Sequence, residues 1–130
     1  MSGTFVVTET ALAAIQEVGA ICLIELDATF ELTGSLVGLF NAQFTIVHFG
    51  ACDEPAPELF FATGTYEGVV NDVFGSFDFV FLGRISEAGE ASGQLIVTDG
   101  FGEFEDVRGR IQLVGIAGVG GDYAGILRDD

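Results

Sequence analysis

The amino-acid sequence predicts an all-β domain, an eight-stranded antiparallel closed barrel. Three observations point there. Glycine is frequent, 19 in 130 residues, while the two prolines, Pro55 and Pro57, sit in one loop. Short runs rich in Val, Ile, Phe and Thr are separated by Gly34, Gly50, Gly68, Gly83, Gly89, Gly93, Gly100 and Gly102, the punctuation of a sandwich or barrel. Within several runs, apolar and polar residues alternate with period two, so that one side of the strand is dry.

The expected strands cover residues 3–10, 21–33, 36–48, 58–68, 73–83, 91–98, 107–117 and 122–127. Residues 11–18 (Ala-Leu-Ala-Ala-Ile-Gln-Glu-Val) read as loop or as one or two helical turns, and 118–121 (Gly-Val-Gly-Gly) as the most flexible stretch. In the second strand Cys22, Ile24, Leu26, Ala28, Phe30 and Leu32 share a dry face, opposite Glu25, Asp27, Thr29 and Glu31. The third and fifth strands are apolar on both faces. Phe40, Phe44 and Ile46 oppose Val37, Leu39 and Val47; Val73, Phe77, Phe79 and Phe81 oppose Phe74, Val80 and Leu82. A small barrel has one dry face, its inside. The second apolar face therefore predicts a homo-oligomer, most simply a dimer.

Composition bounds the rest. The length fits one domain spanning residues 1–130. The chain is 49% hydrophobic, with 13 Phe and no Trp, enough for a core. No apolar run approaches the roughly 18 residues of a membrane-spanning helix. The N-terminus lacks a basic segment ahead of an apolar stretch, so no secretory signal and a cytoplasmic location are expected. Four basic residues face 20 acidic ones, a formal charge of −16. That balance repels phosphate backbones and anionic membrane surfaces, so neither nucleic acid nor membrane is an expected partner.

Chemistry-bearing residues are few. Cys22 and Cys52 form no disulfide framework by count or spacing: Cys22 reads as a small core residue and Cys52 as an exposed loop thiol. The single histidine, His48, ends the third strand on the face of Phe44 and Ile46. Glu25, Asp27 and Glu31 read as a solvated face. The run from Asp99 to Asp106 has oxygens without calcium-loop spacing, and zinc would need more nitrogen or sulfur ligands. No metal or cofactor is expected. No phosphate loop, dinucleotide fingerprint or Ser-His-Asp order is present.

Four segments carry a family resemblance. They are Phe30–Gly38 with the strand Ala42–Val47, then Phe61–Gly68, Gly75–Phe81, and Gly102–Gly109 followed by Gly121-Asp122-Tyr123. In order and spacing they resemble a bacterial family of uncharacterised small barrels related in fold to allene oxide cyclase. The resemblance implies a lipocalin-like barrel of eight antiparallel strands that forms homo-oligomers. It also implies an apolar, flexible substrate held inside and shaped for ring closure. Val80 and Phe81 stand where that family often carries Gln and His, which makes the strand greasier.

The resulting expectation is a barrel enclosing an apolar small molecule, as an isomerase or cyclase, or as a non-catalytic carrier. The third reading is a structural oligomer with a filled core. The catalytic candidates are Glu67, Arg108 and His48. Glu67 would act as a carboxylate in the barrel mouth. Arg108 would anchor a substrate carboxylate or pair structurally. Phe40, Phe44, Tyr66, Phe77, Phe79 and Phe81 are the expected ligand-lining residues. Asn41 and Gln43 would serve as hydrogen-bond anchors if their face points inward.

Overall fold

A computed structural model describes residues 1–129. Eight antiparallel strands run in sequence order and close into a ring through pairing of the first with the last. They are β1 (Ser2–Val18), β2 (Ile21–Gly34), β3 (Leu36–His48), β4 (Glu58–Val70), β5 (Val73–Ile85), β6 (Glu90–Phe101), β7 (Val107–Ile116) and β8 (Gly120–Asp129). One 3-10 turn, Gly102–Phe104, interrupts the β6–β7 connection.

Period-two alternation sets which residues face inward. Even-numbered residues of β3 from Leu36 to His48 point inside, except that Gly38 is only half-buried. The partners opposite them on β2 and β4 do the same. A core of Phe5, Leu32, Leu36, Phe40, Phe44, Phe60, Tyr66, Phe77, Phe79, Phe81, Leu95 and Ile111 results. At about 25 cal/mol per Å² of apolar area removed from water, each buried Phe contributes roughly 2–3 kcal/mol.

Residues 11–18 are neither loop nor helix. They continue β1, paired with β2 from Ala11↔Asp27 to Val18↔Ile21, and two register shifts interrupt the ladder at Thr8 and Ala13. Pairing of β1 with β8 covers only Ser2–Val6. Beyond it the β1–β2 hairpin projects, and residues 11–20 are all exposed. Backbone pairing overrides the helical propensity of the alanines, because β2 offers a continuous ladder of donors and acceptors.

The two ends of the ring differ. At one end Phe104 of the 3-10 turn is buried over Phe77, with ring centroids 6.5 Å apart. Tyr123 ties the same end: its hydroxyl donates to the Thr33 carbonyl at 2.7 Å and accepts the Leu36 N–H at 2.8 Å. Tyr66 donates its hydroxyl to the Val69 carbonyl at 3.1 Å. Burial pushes both phenols up, so both remain donors. Glycines give the rings their places. A Cβ on Gly68 would lie 2.6 Å from the Tyr66 hydroxyl, and one on Gly93 would lie 2.6 Å from the Phe81 ring.

Cys22 and Cys52 are joined in a disulfide with Cα atoms 5.2 Å apart. The free-thiol reading is thereby corrected: neither sulfur is a nucleophile. The β2–β3 register places Cys22 opposite His48. The following loop folds back over that end and brings Cys52 within reach despite a separation of 30 residues.

Candidate functional site

The half of the barrel away from Phe104 holds an apolar cavity of about 410 Å³. Five phenylalanines line it: Phe5, Phe30, Phe44, Phe60 and Phe81, joined by Ile24, Leu26 and Ile46. Phe60 and Phe81 pack with centroids 4.9 Å apart, Phe44 and Phe60 with 5.6 Å. The space comes from small residues at inward positions of one strand. On β6, Ala91 and Gly93 face the cavity, whereas Leu95 and Val97 fill the sealed half. The cavity reaches the surface beside the exposed residues Ile116, Ala117 and Gly118.

At the rim stands one ion pair. His48 Nδ1 lies 2.8 Å from Glu58 Oε2, and His48 Nε2 lies 2.7 Å from the Glu54 carbonyl oxygen. A carbonyl only accepts, so Nε2 carries a hydrogen. The short Nδ1–Oε2 contact then requires one more proton between the two residues: imidazolium beside carboxylate, or neutral imidazole beside carboxylic acid. The hydrogen bond to Glu58 raises the His48 pKa above its ordinary value, ahead of the opposing effect of burial, which favours the imidazolium form. Among the described residues, Glu58 is the only ionisable side chain that lines the cavity. Its Oε1 has no hydrogen-bond partner among the described residues.

The residues expected from sequence divide. Phe44 and Phe81 line the cavity, and His48 is buried at its rim. Phe40, Tyr66, Phe77 and Phe79 pack the sealed half instead, where Phe40 and Phe79 lie 4.8 Å apart and Tyr66 and Phe77 4.9 Å apart. Glu67 does not enter the barrel: it is exposed on the outer face opposite Leu39 and Ser76. Asn41 and Gln43 also point outward, because β3 turns its even-numbered residues in. They line a shallow outer hollow with Thr29, Thr63, Thr65 and Asp78. There Thr29 donates to Asn41 Oδ1 at 2.9 Å and Thr65 to Asp78 Oδ1 at 2.7 Å. Arg108 is exposed, its guanidinium donating to the Val107 carbonyl at 2.8 Å.

Sequence reasoning missed Glu58. The only signal was its place at the head of β4, opposite His48 once the β3–β4 register is known. Among the described residues, no group of His, Cys, Asp and Glu is placed to hold a metal ion.

No protein-family profile and no curated protein matches the chain. Among solved structures, the chain is similar to a protein of unknown function from the DUF3224 family of Shewanella oneidensis MR-1, with a TM-score of 0.75 and 18% identity over 100% of this chain and 96% of that one. The likeness supports the all-β fold. It does not bear on the cyclase relation.

Proposed function

We propose that this chain encloses an apolar small molecule in the open half of a lipocalin-like barrel. The observation that carries the reading is the cavity of about 410 Å³, lined by five phenylalanines. A filled core would leave no such space. Burial of an apolar ligand there gains the usual area-proportional free energy. An environment-sensitive apolar dye tests it. Uptake is expected, with affinity changed by Phe81→Ala and unchanged by Glu87→Ala in the exposed β5–β6 turn. A folded protein that takes up no apolar probe would return the reading to a structural barrel.

The isomerase or cyclase reading, of the allene oxide cyclase type, is supported by the proton held between His48 and Glu58 against the cavity. Such a pair can give or take a proton at a bound substrate, while the walls shape a flexible chain for ring closure. Without turnover the same cavity serves as a carrier.

A homo-oligomer remains part of the proposal. Leu59, Phe61 and Leu82 are exposed and adjacent across β4 and β5, and at the other end exposed Val37 and Phe74 flank half-buried Val69. Sedimentation at micromolar concentration should give at least twice 13.7 kDa. No helix is long and apolar enough to cross a membrane among the described residues. The Cys22–Cys52 bridge weighs against a cytoplasmic location, since disulfides persist in oxidising compartments.

A further inference from the structure

We infer that the cavity selects an apolar molecule whose polar end is a hydrogen-bond donor, neutral or cationic, and rejects carboxylates such as fatty-acid anions. The inference rests on the ligand-barrel reading and specifies its occupant.

Three placements carry it. First, among the described residues the cavity lining contains no basic side chain. Its polar members are Thr10, Glu58 and Ser92, and the rest are apolar or glycine. Second, all four arginines lie elsewhere: Arg84, Arg108, Arg110 and Arg128 are exposed on the outside. A carboxylate ligand therefore finds no guanidinium to pair with inside. It would lose its hydration without compensation. Third, the charged side chain in the cavity wall is itself a carboxylate. Glu58 Oε2 is taken by His48, and Oε1 is left as an acceptor. An acceptor calls for a donor: an alcohol, an amide or an ammonium group.

The surroundings add to this. Glu17, Asp53, Glu54 and Glu90 flank the same end of the barrel, in the loops and strand ends that frame the opening. Of the four arginines, Arg84, near the end of β5, lies at that end. The imidazolium of His48 does not reverse the sign. It faces Glu58 and the Glu54 carbonyl, and it is not part of the cavity wall.

Competition among matched amphiphiles tests the inference. The neutral dye N-phenyl-1-naphthylamine is bound to the intact protein at neutral pH, then displaced with n-decanol, decylammonium or decanoate. Decanol and decylammonium should displace it, and decanoate at least about tenfold less effectively. Repetition in roughly 1 M salt separates the local effect from the overall charge, since the Debye length falls to about 3 Å. The discrimination should persist there. Glu58→Gln keeps a partner for His48 while removing the charge. It should narrow the gap between decanoate and decanol and abolish any preference for decylammonium over decanol. If decanoate competes as well as decanol, the inference falls while the ligand-barrel reading stands. Discrimination unchanged in Glu58→Gln would also overturn it. If the dye never binds, both fall together.

Discussion

The two halves of this barrel use the same aromatic side chains for opposite ends. In the sealed half, Phe40, Tyr66, Phe77 and Phe79 stack against Leu36, Leu95 and Ile111, with the Phe104 ring as a plug. In the open half, Phe5, Phe30, Phe44, Phe60 and Phe81 stand around a void. Ring size does not distinguish them. The neighbours do: Leu95 and Val97 close one half of β6, Ala91 and Gly93 leave the other open. The fastenings differ as well. Neutral hydrogen bonds from buried tyrosines hold the sealed end. A disulfide and an ion pair hold the loop over the open end.

Truncation should expose the contrast most strongly. Phe77→Ala is expected to cost about 3–5 kcal/mol, because it opens a hole among close-packed rings. Phe81→Ala should cost roughly 2 kcal/mol, since one side of that ring already faces empty space. Urea denaturation measures both. Dye affinity should follow the reverse order, changing for Phe81→Ala and little for Phe77→Ala. Equal stability losses would mean that the two halves are packed alike.

Removing the covalent staple should come next. Its closed loop, from a separation of 30 residues, limits the chain-entropy contribution to about 3–4 kcal/mol. Replacing both Cys22 and Cys52 by Ser should lower stability by up to that amount. Hydrogen exchange should rise first in residues 49–57 and 19–22, with the amides around Tyr123 still protected. Faster exchange at the sealed end in the same measurement would show that the two ends open as one unit.

The smallest effect is expected from pH. Bonding to Glu58 raises the folded-state pKa of His48. The pair therefore contributes its full stabilisation below about pH 6.5, the unfolded value. That contribution is lost as pH rises through the folded-state value, because the deprotonated imidazole then turns a lone pair toward a carboxylate. Stability of the native chain should fall over this window, and His48→Gln should flatten the profile there. An unchanged profile in the variant would remove His48 as the titrating group.

Much of the framework is legible in the sequence alone. Seven of the eight strands lie close to the positions expected from glycine punctuation and alternation, and the dry face of β2, from Cys22 to Leu32, does face inward. The exception is β1, whose second half, from Ala11 to Val18, has no alternation to read because both of its faces are solvent-exposed. Side choice was the harder matter. Asn41, Gln43 and Glu67 sit on strands of mixed polarity, and only the curvature of the ring decides which side of such a strand is concave.

The chain's own pattern thus determined strand number, order of polar and apolar faces, and an acidic exterior, all of which depend on neighbours one or two residues away. The tertiary structure alone decided the chemistry of the open end. Cys22 meets Cys52, and His48 meets Glu58, only because antiparallel register and a folded-back loop bring together groups that carry no mutual signal along the sequence. Whether a phenylalanine plugs or lines is equally non-local. It depends on whether the inward residues brought beside it from other strands are large, as Leu95 and Val97 are, or small, as Ala91 and Gly93 are.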